Sequence, residues 1–380
     1  MATNEMTKLD RMEAAIKLAP LDRIPCAPLM DVFFPSKHLG IPMSAAVRDW
    51  DAGFGAIQKI YDEVGGWDGM ILPGYSLAAT PHPYSGIAVG KSLMPGSDLD
   101  DDTVIQFDER EVLTRDDYDE IIDLGWNQFR VKHKKRFNPA PESKLLSWAK
   151  TQMERYQNEI ITWKKSGVRS LCGAIVSSPL MILSTSRTLM EVTRDIFEIP
   201  DKLEAAMGAM VDDLISDSIE AAQLSGEPGV MLIMERGGCF YYSLSIYERF
   251  EYPFMKKMVD AFADAGMITV MHLDQSHTEN LPYFKNLPSK MVVAELDSTT
   301  DIFKAKDVLE GHICIAGDVP AALLTLGEPS EVEDYCKKLI SEVGRDGGFI
   351  LSTGCTCPSE CRMDNFRAMI ETAKNYYPHG

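Results

Sequence analysis

A histidine and a carboxylate stand two positions apart at the end of a short apolar run. Residues 267–270 (MITV) are apolar or β-branched, Gly266 precedes them, and His272 and Asp274 follow. A short run of this composition predicts a buried strand. Because alternate residues of a strand point to the same side, we expect the imidazole and the carboxylate to face one place.

Two cysteines follow a second predicted strand, far downstream in the sequence. The stretch GGFILSTG at 347–354 leads directly into Cys355, and Cys357 comes two residues later. Imidazole, carboxylate and thiolate are all ligands of zinc, and a catalytic zinc site keeps one position open for substrate. We therefore hypothesise that the two strand ends meet around one metal ion held by three protein ligands.

Apolar runs of strand length alternate with helical patterns along most of the chain. The strand-like runs lie at 24–35, 68–74, 168–179, 228–238, 267–275, 291–298, 312–320 and 348–355. The helical patterns lie at 5–19, 44–65, 201–226, 245–266 and 330–344. Eight strand–helix units in succession predict an α/β fold, a (β/α)8 TIM barrel with an N-terminal helical extension. An open doubly wound sheet is the alternative, although no GxGxxG or P-loop motif supports nucleotide binding.

One long excursion interrupts this alternation after the second predicted strand. Residues of about 80–166 begin with polar, acidic sequence and continue with helical patterns at 116–135 and 141–166. We interpret this stretch as a helical insertion into a single barrel domain that spans residues 1–380. The acidic run from Asp98 to Asp102 is interpreted as a solvated loop.

The carboxyl ends of the strands form the active site in a (β/α)8 barrel. Cys314 has isoleucine on both sides, which fits a buried core thiol as well as a metal ligand, while Cys26 and Cys336 are interpreted as core. The strand-end rule selects acidic, aromatic and metal-ligating residues. They are Asp31, Phe33, Phe34, Tyr75, Ser177, Ser178, Glu235, Cys239, Phe240, Tyr241, Tyr242, His272, Asp274, His277, Glu295, Asp297, Cys314, Asp318, Cys355 and Cys357.

The bulk composition restricts the classes of partner. The 380 residues carry a formal net charge of -19, which argues against nucleic acid and against an anionic membrane surface. No apolar run approaches the ~18 residues of a membrane-spanning helix, and the charged N-terminal residues do not resemble a secretion signal. We therefore expect a cytoplasmic protein. Eight cysteines are too few for a disulfide scaffold in a chain of this length.

Motifs over roughly residues 180–377 form a recognisable set. They are the P-x-x-K segment of Pro253 and Lys256, the fifth-strand His272, GDVPAALLTLGEPSEV at 317–332, and GCTCPSECRMDNFRAMIETAKNY at 354–376. This set resembles the uroporphyrinogen decarboxylase superfamily, and within it the zinc methyltransferases that work with corrinoid proteins. The resemblance implies a bound Zn²⁺ and a cobalamin (corrinoid) cofactor that a partner protein carries.

The zinc ligands implied by the resemblance differ here at one position. Zinc methyltransferases of the family carry His-x-Cys on the fifth strand and a later Cys on the eighth, which gives His272 and Cys355. Asp274 stands where the middle cysteine is expected. Asp274, Cys314 and Glu235 are therefore all candidates for completing the ligand set.

This replacement favours one branch of the superfamily. A carboxylate in place of a thiolate makes the zinc a harder, stronger Lewis acid, better suited to an ether oxygen than to a thiol. We therefore expect a resemblance to O-demethylases, which move a methyl group from a methoxylated aromatic donor to the cob(I)alamin of a corrinoid protein. Glu235 and Asp274 are then catalytic. The residues expected to bind the small aromatic substrate are Asp31, Phe33, Phe34, Tyr75, Phe240, Tyr241 and Tyr242.

Three alternatives remain. The methyl group could flow from a methyl-corrinoid to a thiol of the coenzyme M type. The chain could also be a decarboxylase like uroporphyrinogen decarboxylase, or a non-catalytic tetrapyrrole-binding protein on the same barrel. Decarboxylation is disfavoured because the Arg-rich segment that grips propionates in those enzymes is PLMDVFFPSKHLG here, with Asp31 and no arginine. Homo-oligomerisation stays open.

Overall fold

The structure is a computed structural model that describes residues 5–75, 91–137 and 142–377. Six of the described strands form one parallel sheet in the order β10-β9-β8-β7-β6-β5, β1 pairs in parallel with β4, and β2 pairs with the antiparallel β3. The strands are β1 Gly69–Met70, β2 Lys91–Leu93, β3 Gln106–Asp108, β4 Arg169–Ser170, β5 Ala174–Ser177, β6 Gly229–Ile233, β7 Ile268–Leu273, β8 Val292–Leu296, β9 Cys314–Val319 and β10 Phe349–Thr353.

Residues 25–29 close these sheets into a barrel. On one side the Leu351 amide donates to the Pro25 carbonyl at 2.9 Å, and on the other side the Asp68 amide donates to the Cys26 carbonyl at 2.9 Å. β4 and β5 follow one another closely, so that one chain segment pairs with both β1 and β6. The described backbone therefore surrounds the core with eight parallel segments, which confirms the predicted (β/α)8 fold.

The barrel interior changes from apolar to polar along its axis. Its apolar layer contains Val270 of β7 and Val293 of β8, which belong to a buried cluster with residues from all eight segments. Two residues further along these strands lie His272 and Glu295, which are adjacent in the sheet register. Since alternate strand residues share a face, both polar side chains point into the barrel at its carboxyl end.

Helices pack against the outer face of the barrel. No helix in the described ranges is long and apolar enough to cross a membrane. The helices are α1 Lys8–Ile16, α2 Phe33–Leu39, α3 Met43–Arg48, α4 Trp50–Glu63, α5 Asp117–Leu124, α6 Trp126–Lys132, α7 Lys134–Phe137, α8 Glu142–Lys165, α9 Pro179–Ser186, α10 Leu189–Glu198, α11 Pro200–Ser225, α12 Leu244–Phe250, α13 Tyr252–Asp264, α14 Leu281–Phe284, α15 Ile302–Leu309, α16 Ala321–Leu326, α17 Pro329–Glu342 and α18 Met363–Asn375.

The first predicted strand, 24–35, ends earlier than its apolar composition suggested. The Asp31 Oδ1 atom accepts the backbone amide of Phe33 at 2.7 Å, and this local turn lets α2 begin at Phe33. Side chains that the strand would have placed at the barrel mouth are therefore carried into the core by a helix.

One predicted helix is divided by a proline. The pattern at 245–266 forms α12 and α13, which are separated at Glu251. Pro253 lies at the start of α13, where its missing amide is tolerated, but it could not supply a hydrogen bond inside a continuous helix. The break leaves the Glu251 side chain fully buried.

The excursion between β1 and β4 contains β2, β3 and the helices α5 to α8. The predicted helix at 116–135 is interrupted at Gly125, whose φ of 78° lies in the left-handed region that favours glycine. The predicted helix at 141–166 is α8. We propose that this excursion is an insertion into the barrel domain; residues 80–90, where it was predicted to begin, lie outside the described residues.

Candidate metal centre

His272, Asp274 and Cys355 meet at the carboxyl end of the barrel. The His272 Nε2 atom lies 3.4 Å from Asp274 Oδ1 and 3.9 Å from Cys355 Sγ. The Cys355 Sγ atom lies 3.4 Å from Asp274 Oδ2. Within the described part of the chain, these three side chains form the group of metal-ligating residues whose ligand atoms lie within 4.8 Å of one another.

Glu295 fixes the orientation of the His272 ring. Its fully buried carboxylate lies beside His272 in the sheet register, and Oε2 pairs with His272 Nδ1. When Nδ1 carries the proton that this carboxylate accepts, the lone pair of Nε2 is directed toward Asp274 and Cys355. Burial alone would lower the pKa of His272, but Glu295, Asp274 and Cys355 together raise it above its usual value.

The backbone that follows Asp274 is held in an uncommon conformation. Gln275 has a φ of 68°, which few residues other than glycine adopt and which surrounding contacts must hold in place. Its amide donates to Asp297 Oδ2 at 3.0 Å, and its carbonyl accepts from Thr300 Oγ1 at 3.2 Å. These bonds tie the end of β7 to the end of β8 and so fix where the Asp274 carboxylate lies.

Glu235 stands beside the group of three at the end of β6. Its Oε1 atom lies 3.8 Å from His272 Nε2, which is too far for a hydrogen bond. Burial raises the pKa of Glu235 above its usual value, although the charge of His272 opposes this. Glu235 is therefore more readily protonated beside the candidate metal centre than a glutamate exposed to water would be.

The sequence pattern of the family Uroporphyrinogen decarboxylase (URO-D) matches residues 143–376, more than half of the chain. The chain belongs to this family. The matched range includes β4 to β10 and all three residues of the candidate metal centre. The predicted resemblance to the URO-D superfamily is thus confirmed.

Two proteins with sequences similar to this URO-D chain are named as methyltransferases. The Methylcobamide:CoM methyltransferase MtbA of Methanosarcina acetivorans and that of Methanosarcina mazei are each 32% identical over 130 residues, which is 34% of this chain and 37% of each relative. The chain thus aligns with little more than a third of these relatives' length.

A solved structure of a methyltransferase from Methanosarcina mazei has a similar fold over nearly the whole URO-D chain. The superposition covers 97% of this chain and 99% of the other, with a TM-score of 0.69 and 14% sequence identity. At this identity the likeness shows the fold alone.

Cys314 lies away from the candidate metal centre of this URO-D barrel. It is the first residue of β9, and the β9 residue level with Glu295 is Ala316, two positions further along. The Cys314 side chain is fully buried in the apolar layer, and burial raises the pKa of its thiol far above the usual value. Because Cys314 lies two positions before the level of Glu295 and outside the group of three, the structure corrects the expectation that it could complete the ligand set.

Three aromatic residues that were expected to bind substrate are core residues. Phe34 is fully buried in α2, with its ring 5.3 Å from that of Phe366. Phe33 belongs to the same hydrophobic core. Tyr75 is also fully buried, and its ring packs edge-on against Trp50 at 4.9 Å. Their large apolar surfaces are already buried by the protein itself, so the structure does not support a substrate-binding role.

The loop after β6 presents two other aromatic residues to solvent. Phe240 is 59% exposed and Tyr241 is 37% exposed, and their rings contact edge-to-face at 4.9 Å. Tyr242 is instead buried, with its hydroxyl 3.1 Å from Thr193 Oγ1. Phe240 and Tyr241 are therefore the candidates for contact with a ring-shaped substrate, and Tyr242 anchors the loop.

Other residues at the strand ends have structural partners. Ser178 caps α9 by accepting the Met181 amide at 3.2 Å. Cys239 is held by Asn280, whose Oδ1 atom accepts the Cys239 amide at 3.0 Å. Cys357 is buried. The strand-end rule thus selects anchoring residues together with those of the candidate metal centre.

Two glycines of the loop after β6 lie directly on buried ionisable side chains. A Cβ atom at Gly237 would stand 2.5 Å from Glu251 Cδ, and one at Gly238 would stand 2.6 Å from His277 Cε1. Burial raises the pKa of Glu251 to about 8 and lowers the pKa of His277 to about 4. Both groups are therefore mainly neutral at pH 7. No sequence pattern marks Glu251, because its burial results from the break between α12 and α13.

Glu251→Gln is expected to reduce the loss of stability at alkaline pH. The folded protein holds the Glu251 proton up to about pH 8, whereas an exposed glutamate ionises near 4.5, so the free energy of unfolding falls as the pH rises between these values. The variant should remove about 4 kcal/mol of that fall between pH 5 and pH 9.

Urea denaturation at pH 5 and pH 9 measures this difference. Glu220→Gln, which changes an exposed carboxylate on α11, is the matched control and should keep the dependence of the unmodified protein. An equally steep fall in Glu251→Gln would show that Glu251 does not carry it.

Proposed function

We propose that the protein is a zinc-dependent methyltransferase that moves a methyl group from a methoxylated aromatic donor to the cob(I)alamin of a corrinoid protein. The observation that carries this proposal is the convergence of His272, Asp274 and Cys355 at the mouth of a URO-D barrel. The methyltransferase names of the similar proteins support the reaction class.

The spacing of the three side chains fits a zinc ion. Tetrahedral zinc with bonds of about 2.0–2.3 Å separates its ligand atoms by about 3.3–3.7 Å. His272 Nε2 lies 3.4 Å from Asp274 Oδ1, and Cys355 Sγ lies 3.4 Å from Asp274 Oδ2, both within this range. The separation of Nε2 and Sγ, 3.9 Å, is slightly longer. Asp274 Oδ1 is buried and has no hydrogen-bond partner among the described residues, as expected of an atom that awaits a cation.

When bound, zinc would supply a Lewis acid that polarises the ether oxygen of the donor. His272, Asp274 and Cys355 would hold the ion as three protein ligands and would leave one position open for a substrate. Asp274 in place of a cysteine favours an oxygen ligand over a sulfur ligand at that position. Glu295 keeps the His272 imidazole in the orientation that ligation needs.

The protein's own side chains protonate the leaving oxygen and bind the aromatic ring that carries it. As the methyl carbon passes to cobalt(I) of the partner, the carbon–oxygen bond breaks and its electron pair stays on the aryl oxygen. Glu235, whose pKa burial raises, is placed to donate a proton to this oxygen. Phe240 and Tyr241, on the loop that follows Glu235, present exposed rings against which the aromatic donor can stack.

A second candidate function is methyl transfer from a methyl-corrinoid to a thiol. It is supported by the two similar proteins that are named methylcobamide:CoM methyltransferases. The presence of Asp274 where the family's zinc methyltransferases carry cysteine argues for the oxygen donor.

Product analysis distinguishes the two directions. The zinc-loaded protein is incubated with cob(I)alamin and 2-methoxyphenol, and separately with methylcobalamin and thiols. The proposal expects catechol and methylcobalamin in the first incubation. Methyl thioether from the second incubation, with no demethylation in the first, would reverse the assignment.

Phe240→Ala is expected to raise the KM for a methoxyphenol about tenfold with little change in kcat. The ring would contact the donor away from the reacting bond, so its loss weakens ground-state and transition-state binding alike. Phe107→Ala is the matched control, because Phe107 is 69% exposed on β3, in the excursion. An unchanged KM for Phe240→Ala would remove Phe240 from the donor site.

Glu295→Gln is expected to lower zinc affinity about 10–100-fold. The amide can still accept the Nδ1–H bond, but it adds no negative charge to the imidazole, so Nε2 becomes a weaker ligand. Competition with a chromophoric chelator measures the affinity.

Glu310→Gln serves as the matched control, since the Glu310 carboxylate lies in the loop before β9, at the amino end of the barrel, and pairs with Lys306 at 3.2 Å. Zinc binding by Glu295→Gln as tight as that of the control would contradict the orienting role of Glu295.

A further inference from the structure

Carboxyl groups converge on the mouth of the barrel from five of its eight segments. They come from the ends of residues 25–29, β6, β7, β8 and β9. In sheet register Glu295 is level with His272, and Asp318 pairs with Ser352 of β10, three positions before Cys355. The six side chains are Asp31, Glu235, Asp274, Glu295, Asp297 and Asp318.

No lysine or arginine forms a direct ion pair with these groups in the described ranges. None of the six carboxyls has a Lys or Arg nitrogen within 4.0 Å, and the cationic neighbour of Glu235, Asp274 and Glu295 is His272. Residues 76–90, which follow the second barrel segment, contain neither lysine nor arginine in their sequence.

The nearest arginine in the sequence is used elsewhere. Arg236 follows Glu235, but its guanidinium donates to the Ser184 carbonyl at 3.1 Å and to Glu109 Oε2 at 2.9 Å. Lys304, in α15 after the sixth segment, pairs with Glu279 at 3.4 Å. These cations are therefore engaged and do not offer an anion a free partner.

A metal ion does not reverse the sign of this charge. A divalent zinc supplies two positive charges. The thiolate of Cys355 and the carboxylates of Asp274, Glu295 and Asp297 alone supply four negative ones. An anionic group brought to the mouth would meet net repulsion in a site that is partly shielded from water, where charges act more strongly than in bulk solvent.

From this arrangement we infer that the site selects uncharged or cationic small molecules and excludes ones that carry a carboxylate or sulfonate. The inference rests on the proposed function for the identity of the donor, a methoxylated ring. It narrows that donor class to neutral methoxyphenols and their neutral or cationic derivatives. Exclusion by repulsion gives specificity without any dedicated contact.

The test compares molecules that differ in charge and hardly in shape. The first pair is 4-hydroxy-3-methoxybenzamide and 4-hydroxy-3-methoxybenzoate, and the second is 2-mercaptoethanesulfonamide and 2-mercaptoethanesulfonate. Calorimetry on the zinc-loaded protein gives each Kd, and demethylation with cob(I)alamin gives kcat/KM for the aromatic pair. We expect the neutral member to bind at least tenfold more tightly than the anionic one.

The outcomes separate this inference from the proposed function. If the two methoxylated aromatics bind but are not demethylated, the proposed function is overturned. The ratio of their Kd values still decides the charge preference. If neither aromatic binds, the thiol pair decides it. A ratio below threefold in both pairs, or no binding by any of the four molecules, overturns the inference.

A pair of variants tests whether the mouth carboxyls cause the preference. Asp297→Asn removes one of the negative charges counted above, while the amide oxygen can still accept the Gln275 amide, and it should reduce the ratio of anionic to neutral Kd at least threefold. Asp346→Asn removes an exposed carboxylate in the loop before β10, at the opposite end of the barrel, and should leave the ratio unchanged. Equal ratios in both variants would overturn the assignment to the mouth.

Discussion

Cys355→Ala is expected to abolish stoichiometric zinc binding and to lower methyl transfer about 10³-fold or more. The variant leaves His272 and Asp274 as the remaining members of the group of three, and a site with fewer than three strong ligands does not hold catalytic zinc. Under the proposed function, loss of the ion would remove several kcal/mol of stabilisation from the leaving oxygen. Metal analysis of the purified variant beside the unmodified protein measures the first effect.

Cys314→Ala is the matched control for this experiment. Cys314 is the first residue of β9 and lies in the apolar layer, whereas Cys355 follows the neighbouring strand β10 and lies at the mouth. The control should keep its zinc and lose at most a modest part of its stability. If Cys355→Ala retained its zinc, or if Cys314→Ala lost it, the assignment of Cys355 as a zinc ligand and of Cys314 as a core residue would be contradicted.

Glu235→Gln is expected to lower kcat for methoxyphenol demethylation about 10²-fold or more while leaving zinc content unchanged. A proton donor beside the leaving oxygen contributes about 10²–10⁴-fold in general acid catalysis. The glutamine keeps the size of the side chain but cannot release a proton in this range. Its 3.8 Å separation from His272 Nε2 places Glu235 beside the ligand group without making it a member.

The dependence on the leaving group distinguishes proton donation from packing. A methoxyphenol with a nitro substituent gives a stable phenolate as the leaving group, which needs little protonation. Glu235→Gln should therefore slow demethylation of this donor much less than demethylation of 2-methoxyphenol. An equal loss for both donors would contradict the role of Glu235 as the acid. Loss of zinc in the variant would indicate instead that Glu235 is a metal ligand.

Much of the barrel could be predicted from local sequence. Parallel strands buried on both faces appear as continuous apolar runs, and the run before His272 corresponds to β7. The polar residues that end these runs mark the barrel mouth, which is why His272, Asp274 and Cys355 could be selected together. The strand-end rule also selected Cys314 and Cys357, and the choice of Cys355 as a ligand came from the family resemblance.

Other features depend on contacts that local sequence does not encode. Phe33 and Phe34 were expected at the mouth, but the turn at Asp31 places them on a helix that faces the core. The alternation of inward and outward side chains decides that Cys314 lies two positions below the site, and the exact register was needed to see it. Glu251 is buried by a helix break whose partners are distant in sequence.

The loop after β6 has a fixed part and a variable part. In the fixed part, Gly237 packs directly against Glu251, and Gly238 packs against His277. The fixed part cannot accept a side chain without displacing a buried neighbour, so mutational libraries at these two positions should yield few folded proteins. Phe240 and Tyr241, a few residues later, are exposed to solvent, so substitutions there should leave the fold intact. If the proposed function holds, directed evolution of the range of methyl donors should therefore succeed through substitutions at 240 and 241.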